Sequence, residues 1–320
     1  MPMLDMPLEE LKVYKGSSPC PADIDEYWER ALAEMNATEP NPEFIPADFQ
    51  VPGFLCYDLY FNSVRNGRVH CKFIRKENIE GKAPAVLRFH GYSGNSGDWS
   101  SHMALASLGF VVCAMDVRGQ GGLSEDKNPV SGNTLRGHII RGVDDKDPDN
   151  LFFRQIYLDT AMTARVVMGL DYVDETNVSV NGGSQGGALS IACASLVPEI
   201  KKAAVNHPFL CDYRRVWKMD MALRAYEDIK EYFRRFDPTH EREDEFFEKL
   251  GYIDLQNLSH RIKAKVRMYT GLMDNVCPPS TQFAMYNKIT SEKEVIIYPD
   301  YTHEGMPGEP DKTIQFLLAD

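Results

Sequence analysis

The chain has 320 residues, 43% hydrophobic and 26% charged, which excludes disordered, collagen-like and coiled-coil readings. Acidic residues outnumber basic ones 47 to 35, and a formal charge of −12 suits neither a phosphate backbone nor an anionic lipid surface, so no nucleic-acid or membrane partner is expected. No apolar run approaches the roughly 20 residues of a membrane span, the first ten residues do not read as a secretory signal, and seven cysteines without a CxxC pair read as reduced thiols, so a cytoplasmic protein without disulfides or a metal site is expected.

Residues 1–45 read as an N-terminal extension carrying an amphipathic helix over Pro21–Met35, with Ile24, Tyr27, Trp28, Ala31, Leu32 and Met35 on one face. Cys56–Val64 and Arg68–Arg75 flank Asn66-Gly67, a pair that predicts a hairpin because both residues tolerate positive φ. Six short apolar runs then alternate with helix-length segments: Ala85–Phe89, Phe110–Met115, Val178–Val180, Ala203–Val205, Val266–Tyr269 and Val295–Tyr298. Strands buried on both faces read this way, so the fold class is α/β, a mainly parallel sheet flanked by helices in one domain spanning 1–320. Residues 212–262 break the alternation. They are charged and helical, with Ala222, Tyr226, Ile229, Phe233 and Phe236 on one face and a stop at Asp237-Pro238, and they read as an inserted helical cap.

Gly182-Gly183-Ser184-Gln185-Gly186-Gly187 follows the run Val178–Val180 and precedes a small-residue helix, Ala188–Leu196. That strand–turn–helix context is what a GxSxG nucleophile elbow needs: small neighbours let the serine sit on a sharp turn with its hydroxyl projecting. A serine nucleophile requires a base and a group that orients it. Of eight histidines, His303 lies just beyond the last strand, whereas His70 falls within a hairpin strand and His240 and His260 in the cap or its exit. His207, before Pro208, reads as a packed histidine. Asp274 follows the Val266–Tyr269 strand and is the expected orienter; Asp300 is only three residues from His303 and is poorly placed to support the far ring nitrogen. Two backbone N–H groups should form the oxyanion hole, Gln185 after the nucleophile and Tyr92 in Phe89-His90-Gly91-Tyr92-Ser93-Gly94. The glycines of Arg118-Gly119-Gln120-Gly121-Gly122 fail the dinucleotide spacing GxGxxG, and Arg118 reads as a buried structural cation or a subunit contact.

Together these segments resemble the acetyl xylan esterase / cephalosporin C deacetylase family, carbohydrate esterase family 7 of the α/β-hydrolase superfamily. The resemblance covers essentially the whole chain and runs over Asp5–Leu8, Pro19–Trp28, Phe89–Trp99, Asp116–Gly122, Gly137–Gly142, Tyr157–Ala161, Gly183–Gly187 and His303-Glu304. Gly183 stands where close relatives can carry proline. The resemblance implies Ser184 as nucleophile, His303 as base, Asp274 as orienter, an oxyanion hole from Tyr92 and Gln185, and no cofactor. It also implies a homo-hexamer, a trimer of dimers, that takes small acetylated carbohydrates or cephalosporins. The same triad could serve a longer-chain carboxylesterase, a lipase or a peptidase, and a non-catalytic binding protein on a hydrolase fold is the alternative from another class.

Overall fold

The computed structural model describes residues 4–129 and 138–319; Met1–Met3 and Gly137, parts of the readings above, lie outside the described residues. Nine strands form one sheet: β1 (Glu43–Pro46), β2 (Phe54–Ser63), β3 (Gly67–Lys76), β4 (Ala83–Phe89), β5 (Val111–Met115), β6 (Val173–Gly183), β7 (Lys202–Asn206), β8 (Lys265–Gly271) and β9 (Lys293–Tyr298). Their spatial order is β1-β2-β3-β5-β4-β6-β7-β8-β9. The first three pairings are antiparallel, and every pairing from β5 to β9 is parallel.

Among the described residues ten α-helices connect and cover the sheet: α1 (Leu8–Leu11), α2 (Ile24–Asn36), α3 (Ser100–Ser107), α4 (Phe152–Met168), α5 (Gln185–Leu196), α6 (Tyr213–Lys218), α7 (Glu227–Phe236), α8 (Glu243–Leu250), α9 (Pro279–Tyr286) and α10 (Glu309–Leu318). Helix α2 buries the face expected of it, except that Leu32 is only half-buried. Its Trp28 stacks on Tyr157 of α4, ring centroids 5.9 Å apart. With the sheet on one side and α2 on the other, α4 is buried almost all round, which its apolar sequence requires.

Three features differ from the sequence reading. Strand β1 lies at the edge of the nominal helical extension; its four residues are mostly exposed, so no alternation marked it. The hairpin turns on Arg65 and Asn66, with φ of 53° and 60°, and Gly67 is instead the first residue of β3, at φ −63°. Glycine is demanded there by a long-range neighbour: a Cβ on Gly67 would sit 2.2 Å from the Arg118 guanidinium. Finally, α7 begins at Glu227, because Asp220 and Arg224 take positive φ and break the helix expected from Ala222 onward. It ends before Asp237-Pro238 as expected.

The parallel strands share one carboxyl edge. Phe89 is in register with Gly182, Gly183 with Asn206, and Asn206 with Tyr269. Loops leaving β4, β6, β7, β8 and β9 therefore converge, the usual place for a site in an open α/β sheet.

Candidate active site

Ser184 follows β6 directly and caps α5 with φ 56° and ψ −120°, a backbone conformation costly for a residue with a side chain. Neighbouring backbone holds it there: Ser184 N–H donates to Asn206 O at 2.9 Å, and Phe209 N–H donates to Ser184 O at 3.1 Å. The flanking glycines allow the approach. A Cβ on Gly182 would lie 2.4 Å from the Gly186 carbonyl carbon, and one on Gly186 would lie 2.0 Å from Phe89 O. Gly183 has room, its nearest neighbour being Asn206 Cβ at 3.6 Å. Helix α5, rich in Gly, Ala and Ser, is buried along its whole length.

His303 Nε2 lies 3.0 Å from Ser184 Oγ, and His303 Nδ1 lies 2.9 Å from Asp274 Oδ2. With Nδ1–H donating to the carboxylate, Nε2 presents its lone pair to the serine hydroxyl. Asp274 is fully buried, and its Oδ1 accepts the Val276 and Cys277 N–H groups, both at 2.8 Å. The loops carrying acid and base touch closely. Met273 N–H donates to Tyr301 O at 3.0 Å, and a Cβ on Gly271 would lie 2.3 Å from that same oxygen.

His70, His240, His260 and the rival carboxylate lie elsewhere. His70 is sandwiched between Asp58 and Asp116, His240 packs on Trp217, and His260 faces Asp25 at the surface. Asp300 is exposed. His207 is buried as expected, but its partner is His303 itself, the two rings 4.4 Å apart. Burial, then the facing His303, pushes the His207 pKa down to about 4. His207, Asp274 and His303 are also the one His/carboxylate group among the described residues close enough to hold a metal ion, their ligand atoms within 4.8 Å of each other. Asp274 and His303 are already used by the hydrogen bonds just described. The Cys277 thiol is pushed well up, first by burial and then by Asp274, so it is a poor competing nucleophile.

Gln185 opens α5, and Tyr92 lies in the loop after β4. Among the described residues neither backbone N–H donates a hydrogen bond. Arg118 proves to be a structural cation. It is fully buried, with its Nε 2.6 Å from Asp159 Oδ2 and both Nη atoms donating to Val64 O at 3.2 Å. Gln120, whose role the sequence reading left open, reaches Gln185 through reciprocal amide hydrogen bonds of 2.7 and 2.9 Å.

A strand order of this kind, with a serine on a strained turn after β6 and a histidine after β9, defines an α/β-hydrolase. The acetyl xylan esterase family model matches residues 1–319, and the chain belongs to that family. In structure it is similar to acetyl xylan esterase 1 from Thermoanaerobacterium sp. JW/SL YS485, with 56% identity, a TM-score of 0.97, and 98% of this chain and 99% of that one covered. It is also similar to the acetyl xylan esterase from Paenibacillus sp. R4, at 34% identity and a TM-score of 0.92, over 98% and 99% of the two chains. The acetyl esterase Axe7A of Xylanibacter ruminicola is 29% identical over 301 residues, 92% of this chain; the match spans 65% of that esterase's length.

Proposed function

We propose that the chain is a serine esterase that removes O-acetyl groups from small acetylated substrates, acetylated xylo-oligosaccharides and cephalosporin C among them. The observation that carries this reading is the unbroken line Ser184 Oγ–His303 Nε2 and Nδ1–Asp274 Oδ2, at 3.0 and 2.9 Å. Ser184 attacks the acetyl carbonyl while His303 takes its proton, and the oxyanion is received by the Tyr92 and Gln185 N–H groups. His303 then protonates the departing sugar oxygen, and water releases acetate from the acyl-enzyme by the reverse sequence. Asp274 keeps the His303 tautomer and stabilises its charged form. No step calls for a cofactor.

The rings of Tyr92, Phe209 and Tyr226 meet edge to face at 5.8 and 4.5 Å. Tyr226 belongs to the 212–262 segment, which we read as a cap on a single hydrolase domain. Resemblance to the family supports a cytoplasmic hexamer built as a trimer of dimers.

The test is hydrolysis of p-nitrophenyl acetate, butyrate and octanoate by the wild type and by Ser184→Ala. Strong acetate preference lost in the variant is expected. Preference for octanoate would keep the triad and overturn the substrate, and turnover independent of Ser184 would overturn the mechanism.

A further inference from the structure

Two loops leave the sheet side by side, one after β4 and one after β5, and hydrogen bonds cross between them at four places. Val117 N–H donates to His90 Nε2 at 3.0 Å, Gly121 N–H to Gly94 O at 3.0 Å, Ser96 N–H to Asp116 Oδ1 at 2.5 Å, and Ser93 N–H to Gln120 Oε1 at 3.0 Å. The last of these differs from the others. Gln120 Oε1 also accepts from Gln185 Nε2, and Gln120 Nε2 donates back to Gln185 Oε1. One carboxamide thus joins the peptide that follows Tyr92 to the residue that follows Ser184.

Those are the two chain segments whose N–H groups would receive the oxyanion. Gln185 is fully buried on a helix that is itself buried along its whole length, whereas the Tyr92 loop turns through Ser93 at φ 61° and has no regular structure of its own. Gln120 is itself anchored from behind. Two residues earlier, Arg118 is locked to Asp159 in the core, and Gly119 makes the turn between them at φ 71°. Among the described residues the Gln120 side chain makes no hydrogen bond with Ser184, His303 or Asp274, so its effect must pass through the two backbone segments it joins.

We propose that Gln120 is a positioning residue for the oxyanion hole: its carboxamide fixes the Tyr92 loop against Gln185 so that both N–H groups point at one oxygen before substrate arrives. This rests on the esterase reading above. An oxyanion donor acts only when its geometry is set in advance, and loss of one such donor typically lowers rate about 10²–10³-fold. Displacing a donor should therefore lower kcat by roughly 10–100-fold while leaving ground-state binding nearly unchanged.

The experiment compares wild type, Gln120→Leu, Gln185→Leu and the double variant for p-nitrophenyl acetate hydrolysis, melting temperature and inhibition by a phenylboronic acid, which becomes tetrahedral on the serine. The expected result is a lower kcat with KM within about twofold, and boronate affinity weakened by the same factor as kcat/KM. The double variant should lose less than the product of the two single losses, since both remove the shared Gln120–Gln185 contact, although Gln120 alone reaches Ser93 and Gln185 alone reaches His90 O at 3.5 Å. Unchanged kcat and boronate affinity in Gln120→Leu would overturn the proposal. So would a fall in melting temperature large enough to account for the lost activity, or strictly additive single effects. A wild type without Ser184-dependent turnover would sink the esterase reading instead, a result distinct from an active wild type indifferent to Gln120.

Discussion

Around Ser184 the backbone leaves almost no space, whereas around Asp274 and His303 position is set by hydrogen bonds between loops. On the first side, Gly182 and Gly186 lie so near Phe89 and each other that any side chain collides with main-chain atoms, and α5 behind them is wholly buried. On the second side, Asp274 is held by two N–H groups and His303 by Asp274, with the loops joined through Met273 and Tyr301. The proposed nucleophile is thus placed by shape and the proposed proton relay by polarity. Substitutions that change volume should act on one half, and substitutions or pH changes that alter hydrogen bonding should act on the other.

The largest expected effect breaks the relay without changing its shape. In Asp274→Asn the amide oxygen can keep accepting the Val276 and Cys277 N–H groups, which turns the amide NH₂ toward His303 Nδ1. Nδ1 must then accept, Nε2 carries the proton, and Ser184 faces a donor instead of a base. A fall in kcat of about 10⁴ is expected, the size seen when a triad aspartate elsewhere is so replaced, with the melting temperature near that of wild type. Activity within tenfold of wild type would remove Asp274 from the relay.

A second pair of variants tests the steric half. Gly186→Ala puts a methyl group 2.0 Å from Phe89 O, a backbone atom that cannot swing aside, so about 3 kcal/mol or more of stability should be lost. Gly183→Ala meets only Asn206 Cβ at 3.6 Å and should change stability by less than about 1 kcal/mol. Thermal unfolding of the two proteins side by side checks the contrast, and equal effects would show that shape does not decide the elbow.

Much of this site was legible in the sequence because its signals are local. The elbow is six consecutive residues, and His303 and Asp274 each follow a short apolar run that reads as a strand, although β9, at the sheet edge, is only half-buried. The parallel part of the sheet was legible for the same reason. What escaped detection depends on pairings between distant residues. Gly67 looks like a turn glycine but serves Arg118, 51 positions away, and adopts an ordinary strand φ. Gln120 lies 65 residues from Gln185, and only folding brings the two amides together. His207 read as a packed histidine, yet which ring it packs against is fixed by the parallel order β7-β8-β9, which brings the loops after β7 and β9 to one edge, not by spacing. The start of α7 was missed because Asp220 and Arg224 accept left-handed angles for which their residue types give no signal.

The smallest expected effect is the part of the acid dependence of stability that His207 contributes beside His303. His207 sits at about 4 in the folded protein, against about 6.5 for a free histidine. Between those values the unfolded chain binds a proton that the folded one refuses, so His207 makes stability fall as pH drops from 6.5 toward 4. At pH 5 the loss from this one group should be roughly 1–2 kcal/mol. His102, also lowered to about 4 by burial and then by Arg88, acts in the same direction. Asp254 opposes both: burial, then Asp212, raises it to about 6, so the folded state gains stability as pH falls from 6 to the ordinary carboxylate range. His102 and Asp254 are unchanged in His207→Phe, which keeps a ring against His303 but cannot titrate. Denaturant unfolding at pH 7 and pH 5 should therefore show the variant losing less stability than wild type over that interval. Identical losses would mean that His207 is protonated as easily in the folded protein as in the unfolded chain, and that the packing of its ring on His303 does not exclude charge.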